Sequence, residues 1–322
     1  MNKIDITSDL HLDFWIDPQN NQKKQEKMMR RLISCLLPDE PSNVLVIAGD
    51  TGHYNWQNVM FIKLLKETYN HICIVFGNHD LYLVSDKMKK KFGGNSYNRL
   101  KDFIEQLDKI EGVHYLEGDM VEVDGLTIGG HGMWYDAGYA INEWRYSERR
   151  VKDLWQVYMN DSNLIRVPNE DGQLDYLDFI AESKKAKETL YDIFDLSDVI
   201  LTHINPDWSH VPPHYNTPGT TFYHFDGRDI LGRGGVGKTW VFGHTHDSIL
   251  DMHRQGCVFA TSPLGYPSNS IGSAQWNVLC GDLSGNKITF PESRRFRTMV
   301  VGDLPDYESV FDQLEEENGK EK

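Results

Sequence analysis

The 322-residue sequence predicts an α/β protein built on one mixed sheet or on two stacked sheets. Apolar runs of four or five residues, rich in β-branched side chains, are too short for helices and read as buried strands. Between them lie stretches whose apolar residues recur three and four positions apart, the spacing of a helix with one apolar face. After Ser262 the helical pattern gives way to strand-like runs joined by glycine turns.

In order, Ile4–Ser8 is the first strand. Met29, Leu32, Ile33 and Leu36 mark a helix before the strand Val44–Ala48. Trp56, Val59, Met60 and Leu64 mark a second helix before the strand Ile72–Phe76, and Leu100, Phe103, Ile104 and Leu107 a third. A strand at Leu126–Ile128 precedes residues 131–175, which break the rhythm: they are aromatic and polar, with Arg145, Arg149, Arg150 and Arg166, and read as an inserted cap or long loop. Such a segment can stack a base and grip a phosphate, or simply pack its aromatic rings on the core. Phe179, Ser183, Ala186, Leu190 and Ile193 form the helix before Val199–Thr202. Thr239–Phe242, Cys257–Ala260, Trp276–Cys280 and Lys287–Phe290 are the remaining strands. Tyr307, Val310, Phe311 and Leu314 suggest a last helix ahead of a charged tail. One domain over residues 1–300, followed by a helix and tail at 301–322, is the expected division.

Lys+Arg 33 against Asp+Glu 48 leaves a balance of −15, with 39% hydrophobic and 25% charged residues, an ordinary globular composition. So acidic a chain is a poor duplex-DNA binder, because that mode needs basic surface to displace counterions. No apolar run approaches the ~20 residues that span a bilayer, and Met1–Asp5 runs into a strand without a signal-like apolar region. Cys35, Cys73, Cys257 and Cys280 form no CxxC pair and read as free thiols of a reducing, cytoplasmic compartment.

The polar residues that matter sit where strands end. Asp9-Leu10-His11 follows the first strand, and Gly49-Asp50 the second. Gly77-Asn78-His79-Asp80 follows Ile72–Phe76, His203 follows Val199–Thr202, and Gly243-His244-Thr245-His246 follows Thr239–Phe242. In open α/β sheets ligands gather beyond the carboxyl ends of strands, so one topology can unite all five blocks. Asp9 and His11 face the same way if the segment stays extended, as do His244 and His246. Carboxylate, imidazole and amide oxygen make a mixed N/O donor set suited to Mn, Fe, Zn or Ni. Seven donors are too many for one ion and suit two that share a bridging carboxylate. Glycines before Asp50, Asn78 and His244 allow sharp turns.

The ordered blocks D-x-H, G-D, G-N-H-D, H and G-H-x-H, spanning Asp9 to His246, resemble those of the calcineurin-like metallophosphoesterase superfamily. The resemblance implies a two-sheet β sandwich flanked by helices (α/β/β/α). It implies that Asp9, His11 and His246 bind one metal, that Asn78, His203 and His244 bind a second, and that Asp50 bridges them. His79 would be the catalytic imidazole, oriented by Asp80. The reaction implied is hydrolysis of a phosphodiester or phosphomonoester by a hydroxide held between two divalent ions, manganese foremost, with iron, zinc or nickel as alternatives. The GNHD form leans toward diesters and away from the GNHE form of protein phosphatases. A small or nucleotide-like substrate is expected. A single-strand nuclease, a protein phosphatase and a catalytically silent metal-binding scaffold are the alternatives.

Further residues carry weaker expectations. His131, just past a strand, could approach the centre. His210, His214 and His224 lie in the loop after His203, where they could touch substrate or merely decorate it. Arg145 and Tyr266 are candidate substrate contacts, the latter in the turn Pro263–Pro267. His53, His71, His114 and His253 read as surface or hydrogen-bonded structural residues. Lys87, Lys89, Lys90 and Lys91 read as a solvated helix face. Gly232–Thr239 satisfies the phosphate-loop pattern GxxxxGK[ST], but a working loop opens a helix, and here the chain continues into the strand Thr239–Phe242.

Overall fold

The computed structural model describes residues 2–18, 21–209, 211–267 and 290–302. Its strands are β1 (Asn2–Thr7), β2 (Val44–Ala48), β3 (His71–Val75), β4 (Val113–Tyr115), β5 (Asp119–Val123), β6 (Leu126–His131), β7 (Val167–Pro168), β8 (Leu174–Asp175), β9 (Val199–Thr202), β10 (Thr239–Val241), β11 (Ile249–Arg254), β12 (Cys257–Thr261) and β13 (Arg297–Val301). One sheet has the order β13-β1-β2-β3-β4 and the other β11-β12-β10-β9-β6-β5, while β7 and β8 pair as a separate hairpin. β1 to β4 run parallel, with β13 antiparallel at the edge. β12, β10, β9 and β6 run parallel between antiparallel β11 and β5.

Side-chain alternation explains why these strands are apolar throughout. Val44, Val46 and Ala48 of β2 meet Ile128, Val199, Leu201 and Val241 of the second sheet in the layer between the sheets. Leu45 and Ile47 point the other way, onto helices. Ile200, Trp240 and Phe259 do the same from the second sheet. Both faces are covered, as parallel sheets require, so the architecture is α/β/β/α.

Helices α1 (Leu12–Trp15), α2 (Gln22–Leu36), α3 (Asn55–Leu65), α4 (Asp86–Lys91) and α5 (Ser96–Leu107) follow in the first part of the chain. Met29, Leu32, Ile33 and Leu36 of α2 and Phe103 and Leu107 of α5 pack on the outer face of the first sheet. Both helices open on an asparagine whose side chain accepts a backbone N–H, Asn21 from Lys24 and Asn95 from Tyr97. The face expected for α3 is wrong in part: Trp56 is 40% exposed, while Gln57 and Asn58 are buried. Their amides donate to the carbonyls of Ile16 and Gly52, so this helix buries polar groups that close loops rather than a purely apolar stripe.

Residues 131–175 are not a loose loop. They form α6 (Gly138–Trp144), α7 (Glu148–Tyr158), α8 (Asp161–Leu164) and the β7–β8 hairpin, ahead of α9 (Phe179–Phe194) and α10 (Arg228–Leu231). Trp134, Tyr135, Val151 and Trp155 are buried with α9 against the second sheet. Backbone bonds from Leu83 to Leu164 and from Ser96 to Arg166 staple the segment down. Trp134, Tyr135, Tyr139 and Trp155 pack inward, while Trp144 and Tyr158 stay exposed.

The phosphate-loop pattern leads from α10 through a turn into β10, and Lys238 spends its ammonium on the carbonyls of Asp195 and Ser197. Cys73 and Cys257 are buried free thiols and Cys35 is partly buried. Among the described residues no helix is long and apolar enough to cross a membrane. His210, Cys280, the strand expected at 276–280, all but Phe290 of that at 287–290, and the helix and tail at 303–322 lie outside the described residues.

Candidate metal centre

Parallel strands place the ends of β1, β2, β3, β9 and β10 on one side of the molecule, and all five blocks meet there. The chain leaves these strands abruptly. Asp9, His11, Asp50, His244 and His246 have φ between 42° and 67°, five of the nine non-glycine residues with positive φ among those described. Backbone strain of this kind costs of order 1–3 kcal/mol per residue and persists where the fold over-determines it, typically at functional sites. The expectation that an extended backbone aligns Asp9 with His11 and His244 with His246 therefore fails. Left-handed turns aim these side chains, and His244 and His246 enter different donor groups.

The glycines serve space more than φ. Of the glycines before Asp50, Asn78 and His244, only Gly49 is left-handed, at φ +81°. A Cβ on Gly49 would lie 2.6 Å from His203 Nδ1, one on Gly77 2.5 Å from the Asp50 nitrogen, and one on Gly243 2.8 Å from Asp9 Oδ2.

Two donor groups result. In the first, His246 Nε2 lies 3.3 Å from Asp9 Oδ1 and 3.1 Å from His11 Nε2. In the second, His203 Nε2 lies 3.1 Å from His244 Nδ1, 3.2 Å from Asn78 Oδ1 and 3.4 Å from Asp50 Oδ2. The same Asp50 oxygen is 3.8 Å from His11 Nε2, so it sits between the groups.

Whether cations fit depends on which atoms carry protons. His203 Nδ1 donates to the Ala48 carbonyl at 2.8 Å, and His244 Nε2 donates to the Phe222 carbonyl at 2.9 Å. Each ring, once its inward nitrogen is deprotonated as a metal would require, turns a lone pair inward. The Asn78 amide nitrogen donates to Asp161 and Tyr82, which turns its oxygen inward as well. Two imidazole nitrogens, an amide oxygen and a carboxylate oxygen converge; the proton on His203 answers the Asp50 carboxylate, and a divalent cation can take its place.

The charges agree. Burial works against ionising Asp50, but His203 and His79 outweigh it and hold the carboxyl well below its usual range. Asp9 is likewise lowered, against burial, by His246. Burial brings His11 down to about 4, and burial with His203 brings His244 down to about 3. His203 alone is raised, to about 9: burial opposes its charge, but the Asp50 carboxylate prevails. Two buried carboxylates thus demand positive charge.

His79 stands beside this cluster, its Nε2 4.0 Å from Asp50 Oδ2 and 3.3 Å from the Tyr266 hydroxyl. The expectation that Asp80 orients its ring is not met. Asp80 accepts the backbone N–H groups of Gly77, Asp50 and Thr51, which locks the GNHD loop to the GD loop. Burial and the nearby Asp50 raise it to about 6, Arg99 opposing. The ring is held instead by His53, whose Nε2 lies 3.0 Å from His79 Nδ1 and whose Nδ1 lies 2.7 Å from Asp13 Oδ2. A carboxylate can only accept, so His53 Nδ1 carries a proton; with His53 neutral, His79 Nδ1 donates to His53 Nε2, and His79 Nε2 faces the cleft. Burial pushes His79 well below its usual value, with Asp50 acting against it.

The cleft above the cluster has a volume of about 950 Å³ and is walled by Tyr158, Tyr215, Tyr223 and Tyr266, with His214 and His224 in the loop and Arg294 at one side. Tyr266 stacks on His11, ring centres 4.4 Å apart. Two expected contacts lie elsewhere. Arg145 is exposed at the end of α6 and does not line the cleft. His131 lines a separate cavity of about 1260 Å³ between α5, α9 and the inserted segment, because β6 delivers it there and its Nδ1 accepts the Met133 N–H.

His131 has a measurable consequence. Burial brings it from 6.5 down to about 4. Between those values the unfolded chain binds the extra proton, so this group's contribution is full above about pH 6.5 and is lost as pH falls toward 4, by at most about 3 kcal/mol. Urea unfolding at pH 7 and 4.5 should show wild type losing more stability than His131→Gln; equal losses would contradict the assignment.

Sequence reasoning missed His53, Asp13, Arg294 and Asp161. His53 and Asp13 stood close to Asp50 and His11 and could have been suspected from that; Arg294 and Asp161 had no local signal.

The family profile described as calcineurin-like phosphoesterase matches residues 2–248. Among solved structures the chain is similar to a phosphopantetheinyl hydrolase from Mycobacterium tuberculosis, at 18% identity and a TM-score of 0.63, over 83% of this chain and 90% of that one. A protein of unknown function from Aquifex aeolicus aligns at 14% identity over 71% of this chain and 94% of that one, with a TM-score of 0.27. The first likeness speaks for the fold alone. No curated protein matches the chain.

Proposed function

The chain belongs to the calcineurin-like phosphoesterase family, hydrolases of phosphoester bonds, and from that premise we propose that it is a two-metal hydrolase of a small phosphodiester or phosphomonoester. The observation that carries this reading is Asp50 Oδ2, placed between two groups of potential metal-ligating atoms. Asp9, His11 and His246 would hold one ion, Asn78, His203 and His244 the other, and Asp50 both. Bound there, two divalent cations, manganese foremost, supply charge neutralisation of the phosphoryl oxygens and a water acidified to near neutral pH.

The chain's own groups supply orientation and proton handling. Asp13 fixes the His53 tautomer, and His53 holds the His79 ring so that Nε2 points at the cleft. From there the His79 Nε2 faces the departing ester oxygen, placed to take up a proton and pass it on, with the Tyr266 hydroxyl hydrogen-bonded at the same nitrogen. Arg294 donates to the carbonyls of His246 and Pro263 and is the one Lys or Arg among the described residues lining the cleft. A nucleic acid strand needs several such contacts along its backbone. A tyrosine-walled cleft with a single arginine suits a compact substrate with little charge beyond the reacting phosphate.

The test compares bis-p-nitrophenyl phosphate with p-nitrophenyl phosphate under manganese, with metal content measured on the same sample. At least one should turn over, lose turnover on chelation and regain it when manganese returns. No turnover of either with two ions bound would overturn the enzymatic reading in favour of a binding module.

A further inference from the structure

Asp161 opens α8 in the inserted segment and is fully buried, 83 residues from the Asn78 it touches. A carboxylate in such a place needs partners for its lone pairs, and it has three. One oxygen accepts the Asn78 amide nitrogen at 2.8 Å and the Tyr82 hydroxyl; the other accepts the Tyr135 hydroxyl at 2.5 Å. Tyr135 in turn accepts the Trp155 indole N–H. The network therefore runs from α7 through Asp161 to one donor of the second group. Each partner is a donor, so the carboxylate reads the Asn78 amide in one orientation only.

That orientation matters because an amide is two-faced. Turned over, Asn78 would aim an NH₂ at His203 and Asp50 where a cation needs an oxygen. We infer that Asp161 is a positioning residue for the second metal: the inserted segment, docked on the core, presents the carboxylate that keeps Asn78 Oδ1 turned inward. This rests on the reading of Asn78 as a ligand. Groups behind a ligand typically govern metal affinity by about 10–100-fold.

The test is manganese titration calorimetry on the full chain stripped with chelator, with melting in chelator as the check on folding. Wild type should bind two ions. Asp161→Ala should weaken one of them by about 10–100-fold and leave the other alone, and Asp161→Asn, which keeps a carbonyl for the Asn78 amide, should recover most of that loss. On an Asn78→Ala background, Asp161→Ala should add no further loss. If Asp161→Ala does not fold, Asp161→Leu combined with Tyr82→Phe, Tyr135→Phe and Trp155→Phe leaves no orphaned hydroxyl or indole N–H and serves in its place, read against Tyr82→Phe alone. Asn78→Ala binding both ions at wild-type affinity overturns the ligand reading itself. Asn78→Ala losing an ion while folded Asp161→Ala keeps both overturns only the role of Asp161. An equal Asp161→Ala loss with and without Asn78 also overturns it.

Discussion

Asp50→Ala is expected to bring bound manganese from two ions to fewer than one per chain and to lower turnover by about 10²–10³-fold or more, the scale seen when a preorganised charge stabiliser is lost. Its Oδ2 stands 3.8 Å from His11 Nε2 and 3.4 Å from His203 Nε2, so the substitution reaches both donor groups at once. The cost to the fold is smaller. Oδ1 accepts the His79 backbone N–H at 2.8 Å, and orphaning that buried donor costs about 1–3 kcal/mol. The metal-free protein also loses the carboxylate that faces buried His203, an attraction that outweighs the repulsion between Asp50 and Asp9. Elemental analysis of the manganese-loaded variant, beside its melting curve in chelator, separates the two effects. A folded Asp50→Ala that keeps two ions would remove the basis for a shared carboxylate.

His79→Ala, by contrast, should keep both metals and lose about 10²–10⁴-fold in kcat, the usual worth of a general acid or base. Its neighbour should matter too. With Asp13 and His53 setting the tautomer, His53→Ala should lower kcat by at least ten-fold, in the direction of the ~10⁴-fold loss known when a tautomer-fixing partner is removed. Because both substitutions disable one unit, their combination should cost little more than His79→Ala alone. Leaving groups give the sharper check. A p-nitrophenolate departs without a proton, so both defects should shrink on p-nitrophenyl esters and grow on alkyl esters. The same defect on both kinds of ester would show that His79 acts on something other than the departing oxygen.

These expectations draw unequally on sequence and structure. The strands that bear the blocks were legible because each is buried on both faces, which leaves an unbroken apolar run such as Val44–Ala48 with a polar break after it. The helix at Phe179–Phe194 was legible from its apolar spacing. The α3 face was not, since Gln57 and Asn58 are buried for the carbonyls they satisfy and no apolar period reports that. His131 was misplaced for a related reason: a strand end says which edge a residue leaves from, not which cavity its side chain enters.

The sequence by itself determined the donor chemistry and the order in which strands deliver it, because those depend on residue type and on short-range periodicity. Only the tertiary structure decided proton positions and supports: that Asp80 ties loops together, that Asp13 and His53 hold His79, and that Asp161 faces Asn78. Each of the latter two is a hydrogen bond or relay between segments far apart in the chain. Their geometry is set by packed sheets and left-handed turns, and nothing in the neighbouring residues encodes it.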